Sequence, residues 1–333
     1  MNITEYSFYK TPQVRALVWS LISPGLVKYA AVYPACVEQQ WCLDLYEKLK
    51  PFLQDLDQHP DPLIQYLEAQ KSWRLGIRFE AYWTFIFEQL KKQSELKRYE
   101  SHIQIQRKDK HKTYNETLGE IDFIYQDMQQ QFTHLEIAVK FYCLKPDEFG
   151  FERLLGPNGH DWLERKLEHL FNKQLPLSNT VEAQEKLIDL FSADLTDEKH
   201  INCHPLGLVK GMIFLPVTGE EELNEKELSY INPQLLNGKW GTIDNWYLSD
   251  PGETGRWVML EKLDWLVPQI FESLEDHLYT AKEMTYKLDV HFNHTKRSVL
   301  IVQVDFDETQ QLWLEQQRVM VVDKHWPTFL QPA

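Results

Sequence analysis

LGEIDFIYQDMQQQFTHLEIAVKFY, residues 118–142, holds two apolar-rich runs joined by a polar turn. Val, Ile, Phe and Tyr dominate both runs and no Pro interrupts them, which predicts a strand hairpin. Alternate residues of a strand share a face, so Glu120 goes with Asp122 and Glu136 with Lys140. A turn centred near Gln129 sets Asp122 opposite Glu136, and opposed side chains have Cβ atoms about 4.5–5.5 Å apart. An exposed Glu136–Lys140 pair is worth less than about 1 kcal/mol and needs no function. The apolar flanks instead predict burial, and buried charges need partners or a metal.

Upstream, residues 1 to about 95 read as helical. PQVRALVWSLI and CVEQQWCLDLYEKLKPFL carry Val14, Leu17, Leu21, then Val37, Trp41, Leu45 and Leu49 at helical spacing. Pro24, Gly25, Pro34, Pro51, Pro60 and Pro62 are expected to punctuate them. LGIRFEAYWTFIFEQLKKQ has the stripe Phe79, Trp83, Ile86, Leu90, with Glu80 in its first or second turn, where a glutamate also complements the helix dipole. SHIQIQR, 101–107, is expected to be the first strand, with Ile103 and Ile105 on one face. Lys108, Lys110, His111 and Lys112 then concentrate positive charge in a loop suited to solvent or a phosphate backbone.

Downstream, GPNG at 156–159 turns the chain into a helix whose buried stripe is Leu163, Leu167 and Leu170, with Arg165, Lys166, Lys173 and Gln174 on polar faces. VEAQEKLIDLFSADL predicts another helix, and GLVKGMIFLP, 207–216, a strand buried on both faces. The order is β-β-β-α-β. Beyond 217, GKWGTIDNWYLSD and RWVMLEKLDWLVP suggest Trp-rich strands, ESLEDHLYTAKEMTYKLDVHF a helix, and SVLIVQVDF and LWLEQQRVMVVD two late strands. These either complete the same sheet or build a second one. With no repeat, low-complexity tract or linker, the expected organisation is a helical region 1–75, a core 76–216 and an α+β extension 217–333, packed as one body.

The 333 residues are 43% hydrophobic and 13% aromatic, enough for a large core, and their net charge of -15 argues against a generic cationic surface. Cysteines 36, 42, 143 and 203 form neither a disulfide framework nor a CxxC pair, so reduced thiols are expected. His200 and His204 flank Cys203 in HINCHP, an incomplete ligand set expected to lie in a loop. His134 shares parity with Glu136 but reads as a polar strand entry. No run approaches the roughly 20 apolar residues of a membrane span, and no secretory leader is evident, so a cytoplasmic chain with no membrane partner is expected. Glycine-rich phosphate loops, GxSxG and HExxH are absent.

The succession of Glu80 on a helix, Gly119-Glu120-Ile121-Asp122 on a strand, Glu136-Ile137-Ala138-Val139-Lys140 on the next, then helix and strand, resembles the PD-(D/E)XK nuclease-like superfamily. Over nearly its full length the chain also resembles the domain-of-unknown-function family numbered 1853, through RFEAYW, GEIDFIY, HLEIAVKFY, GPNGHDWLERKLEHLFNKQL, WVMLEKLDWLVP, RSVLIVQV and HWP. The superfamily resemblance implies an α/β (α+β) nuclease-like core with a mixed sheet flanked by helices. It further implies a hard-cation site for Mg2+ or Mn2+, with Asp122, Glu136 and Glu80 as metal ligands, Lys140 orienting or deprotonating water, and Glu120 and Gln174 in support. The expected function is metal-dependent phosphodiester hydrolysis of DNA or RNA.

One position departs from that pattern. The acid normally stands two residues before the lysine, where this chain has Ala138; Glu136 stands four before, about 6.6–6.8 Å further along the strand. Pairing Asp122 with Glu136 compensates, whereas a slip of one residue puts the two carboxylates on opposite faces. Ala138 therefore keeps a second expectation open: a catalytically silent nuclease fold that binds nucleic acid or protein.

Overall fold

The computed structural model describes residues 8–28, 32–107, 116–146, 153–192, 200–219, 221–236, 238–250, 255–274 and 277–327. Lys108, Lys110, His111 and Lys112 lie outside them. Among the described residues are eight α-helices and one ten-stranded mixed sheet.

Four helices come first: α1 (Pro12–Ile22), α2 (Gln39–Gln58), α3 (Asp61–Ala69) and α4 (Leu75–Lys92). Strands β1 (Leu96–Arg107), β2 (Glu116–Asp127), β3 (Phe132–Leu144) and the short β4 (Leu154–Leu155) follow, then α5 (Leu163–His169), α6 (Val181–Phe191) and β5 (Cys203–Pro216). The rest comprises α7 (Glu225–Tyr230), β6 (Gly238–Thr242), β7 (Arg256–Leu260), β8 (Ile270–Phe271), α8 (Ala281–His294), β9 (Val299–Asp307) and β10 (Leu312–Val322). Sheet order is β1-β2-β3-β5-β6-β10-β9-β7, so the late strands complete the sheet that the first hairpin begins.

Alternation in the strands decides which helices cover which face. Leu135, Ile137, Val139 and Phe141 of β3 join one core with α1–α4, whose contributions include Trp19, Leu53, Phe79 and Trp83. Ala138 and Tyr142 turn the other way, toward Leu163 and Leu167 of α5. Further along that second face, Leu187 and Phe191 of α6 and Met284 and Leu288 of α8 cover neighbouring strands. The four cysteines are buried and unpaired.

Two features of β5 bind the halves together. Its Lys210 is fully buried among α1 and α2, donating to the carbonyls of Leu21 (3.2 Å) and Ser23 and lying 3.7 Å from Cys42 Sγ. These carbonyls end α1 and lack a helical partner, so the lysine acts as its C-terminal cap. Beside it Gly211 pairs with Lys140 of β3 at φ +142°, and a Cβ there would stand 1.7 Å from the Lys140 carbonyl oxygen. Only glycine fits that approach.

Several local expectations are corrected. β1 begins at Leu96 rather than Ser101, because the hairpin partner β2 extends its ladder to Leu96–Asp127. Pro51 lies inside α2 without ending it. HINCHP is a loop only over residues 200–202: β5 starts at Cys203, and His204 pairs with Thr133 in the parallel ladder to β3. The helix expected from Glu272 starts at Ala281, where Thr280 and Glu283 form a capping box. α6 ends at Phe191, and the remainder of its expected span from 193 lies outside the described residues.

A fork of carboxylates as candidate functional site

The predicted hairpin and register are present. β2 and β3 pair antiparallel from Gln126–Phe132 to Phe123–Leu135, where the ladder ends and Asp122 and Glu136 come next. There the backbone bonds give way to side chains. The Asp122 N–H donates to Glu136 Oε1 at 3.2 Å, and the Ile137 N–H donates to Asp122 Oδ2 at 2.9 Å. Each carboxylate thus caps the opposite strand, and the two strands part as a fork.

Three elements converge on the fork. From α4, Glu80 flanks the buried stripe and lies 3.9 Å from His102 Nδ1, which is 3.2 Å from Glu120 Oε1. His102 holds this place because its backbone is left-handed, φ 54°, in the middle of β1. From α5, Lys166 Nζ donates to Gln174 Oε1 at 2.9 Å, and Gln174 Nε2 donates to Glu136 Oε2 at 2.6 Å. A π-turn, Leu170–Gln174, follows α5 and carries Gln174 inward. From β3, His134 is fully buried with Nε2 2.8 Å from Glu136 Oε1 and Nδ1 3.0 Å from Ser178 Oγ.

Glu80, Glu120, Asp122, Glu136 and Gln174 are therefore brought together. Lys140 shares the Glu136 face, but its ammonium donates to Asp161 at 2.5 Å, both side chains about one-third exposed. His134, Lys166, Asp161 and His102 belong to this constellation without having been singled out for it. The parity of His134 with Glu136 was the visible signal for the first, and GPNGHDW carries the third.

Burial dominates the electrostatics. It raises the Asp122 carboxyl well above the carboxylate range, and repulsion from Glu136 adds to this while the Ile137 N–H opposes it. Glu136 is raised by burial against the Asp122 N–H and Lys166. Burial, then Asp122, pushes Glu80 up to about 7. Lys166 is lowered by burial and then by Lys140, with Asp122 and Glu136 opposing. Such a cluster near neutrality takes up either protons or a cation.

Burial also drives His134 down to about 4. Its imidazole is expected to remain neutral at pH 6 in nitrogen-15 NMR spectra; an imidazolium signature there would mean that an ionised Glu136 overrides burial. The sign follows: relative to an ordinary histidine near 6.5, the native state binds fewer protons, so this group lowers stability as pH falls from about 6.5 to about 4.

The carboxylates of Glu80 and Asp122 are the remaining candidates for a cation, with Asp122 Oδ2 accepting the Ile137 N–H. Both Glu136 oxygens already accept protein hydrogen bonds, unlike the ligand role expected for it. Among the described residues no three His, Cys, Asp or Glu side chains form a metal cage. Two carboxylates nevertheless suit Mg2+ or Mn2+, which take one or two protein carboxylates and fill their remaining positions with water and substrate.

Residues 15–322 match the family described as Domain of unknown function (DUF1853). The chain belongs to this family. No curated protein and no solved structure matches it. In this DUF1853 chain, the matched span takes in all four helices before the fork and every strand of the sheet. No described helix is long and apolar enough to cross a membrane.

Proposed function

We propose that the protein is a metal-dependent phosphodiesterase acting on nucleic acid, built on a PD-(D/E)XK-like core within residues 76–216. The observation carrying this reading is the fork, where carboxylates of β2 and β3 meet at the end of the β2–β3 ladder and Lys166 reaches Glu136 through Gln174. The order α4-β1-β2-β3-α5-α6-β5, with β5 parallel to β3, supports it.

In this reading Asp122 and Glu80 would hold Mg2+ or Mn2+, which when bound neutralises charge growing on the phosphate and acidifies water. Glu136 fixes the Asp122 backbone through its N–H, and Gln174 and His134 fix Glu136. Lys140 supplies positive charge where water and phosphate meet. Its pairing with Asp161 is about one-third exposed and worth about 1 kcal/mol or less, so a phosphate displaces it readily.

Ala138 and the Lys140–Asp161 pair favour a second reading, a silent nuclease fold that binds a nucleic acid or protein partner. Incubation with single- and double-stranded DNA and RNA in Mg2+ or Mn2+ decides between them. The enzyme reading expects cleavage that chelator abolishes, a loss of about 100-fold or more in Lys140→Ala, and about tenfold in Lys166→Ala. Absence of cleavage of every polymer in either metal establishes the silent reading; cleavage unchanged in Lys140→Ala removes that lysine from the mechanism.

A further inference from the structure

Beside the 156–162 loop lies a concavity of about 720 Å³ whose lining includes none of the fork's carboxylates. Asp161 of this loop pairs with Lys140, while Asn158 and His160 line the concavity, so consecutive residues serve both places. The loop is pinned: Gly156 N–H donates to the Asp161 carbonyl at 2.7 Å, and Asn158 Oδ1 accepts from the Ser298 N–H and Oγ at 3.2 and 3.1 Å.

The charge in the concavity opposes that of the protein. Lys262, Lys296, Arg297, His160 and His291 line it against a single carboxylate, Glu261, in a chain of net charge -15. It also holds two indoles. Trp73 is 64% exposed, and the Arg297 guanidinium lies 5.8 Å from its ring centre. The Lys262 ammonium sits 3.3 Å above the buried Trp265 ring. An exposed indole presents a flat apolar face on which an unpaired base can stack. Cations interleaved with aromatic faces are what single-stranded nucleic acid requires: phosphates meet the cations, and an unpaired base meets an indole. A volume of this size suits one or two nucleotides, since small-molecule pockets span about 300–1,000 Å³.

We propose that the pocket formed by Trp73, His160, Lys262, Lys296 and Arg297 binds a single-stranded nucleic-acid segment, stacking a base on Trp73 and holding its phosphates with the cations. The choice of ligand rests on the phosphodiesterase reading, but the binding site is separate from the carboxylates. Desolvation lowers Lys262 to about 8, and an arriving phosphate returns to it the counter-charge that burial removed.

Fluorescence anisotropy of a labelled single strand of about twelve nucleotides, in chelator so that nothing is cut, tests this. Wild type should bind it more tightly than the matching duplex. Trp73→Ala and Arg297→Ala, both at exposed positions, should each weaken binding about tenfold. Arg297→Ala should also reduce the slope of log affinity against log salt by about 0.7, whereas Arg297→Lys keeps the slope and loses part of the affinity. Asp122→Asn should bind as well as wild type. Absence of binding, binding by Trp73→Ala equal to that of wild type, or preference for duplex overturns the proposal. Cleavage by Asp122→Asn bears only on the fork, so the two readings fail separately.

Discussion

Asp122→Asn is expected to reduce metal-dependent strand cleavage by about 1,000-fold and, in metal-free protein at pH 8, to raise the thermal midpoint. The two effects have one cause. Asp122 sits beside Glu136 in a buried fork, and its carboxyl is raised from an ordinary 3.8 to about 7. Between those values the native state keeps a proton that the unfolded chain releases, so metal-free stability falls as pH rises from about 4 to about 7. Above that window the fold carries an ionised, poorly solvated pair, at a cost of at most about 4 kcal/mol for this group. Sharing the cost with Glu136 brings the expected gain from asparagine to about 1–2 kcal/mol. Asparagine still accepts the Ile137 N–H, so the fork keeps its shape. Cleavage at the wild-type rate, or a lower midpoint at pH 8, would contradict the assignment; calorimetric unfolding from pH 4 to 8 with and without chelator measures it.

Lys210→Ala should be the most destabilising single change in the fold, about 3–5 kcal/mol in urea denaturation. The ammonium is fully buried and caps the α1 C-terminus through the Leu21 and Ser23 carbonyls. Alanine leaves both carbonyls without a donor and opens a cavity where the stem lay. Lys210→Met keeps the stem volume and removes a buried charge, so its cost should be about half as large. If alanine and methionine cost the same, loss of the cap rather than of packing explains the effect; if neither costs more than about 1 kcal/mol, the cap is unimportant.

Much of the fork was legible before any coordinates. Strand parity and a turn near Gln129 were enough to oppose Asp122 and Glu136, because a one-residue slip would have exposed Phe123 and Leu135, both fully buried. Gln174 was placed by resemblance, and it does reach Glu136. His134 was misjudged because parity shows a face but not its depth, and depth here comes from Ser178 and the turns after α5. Lys166 read as a solvated helix face for the same reason. The late strands were ambiguous because β6 joins β5 and β10 in parallel ladders, and such pairing leaves no local turn to read. The pocket around Trp73 was beyond sequence reading: its walls come from before α4, the 156–162 loop, the end of β7 and the α8–β9 connection.

The uneven pairing of the fork has one more consequence. β3 is fastened to β5 from Phe132–Cys203 to Cys143–Phe214, while β2 holds β3 only over Phe123–Gln126 and is otherwise fastened to β1. The β1–β2 pair is therefore a wing attached to a rigid sheet by a short seam. Two side-chain hydrogen bonds, Asp122 N–H to Glu136 and Ile137 N–H to Asp122, close the open end of that seam, so the separation of the two carboxylates is set by these bonds and not by the ladder. At the mouth of the seam the Asp122 and Ile137 N–H groups are met by carboxylates instead of by the opposite strand, so the sheet divides there without leaving either donor unpaired.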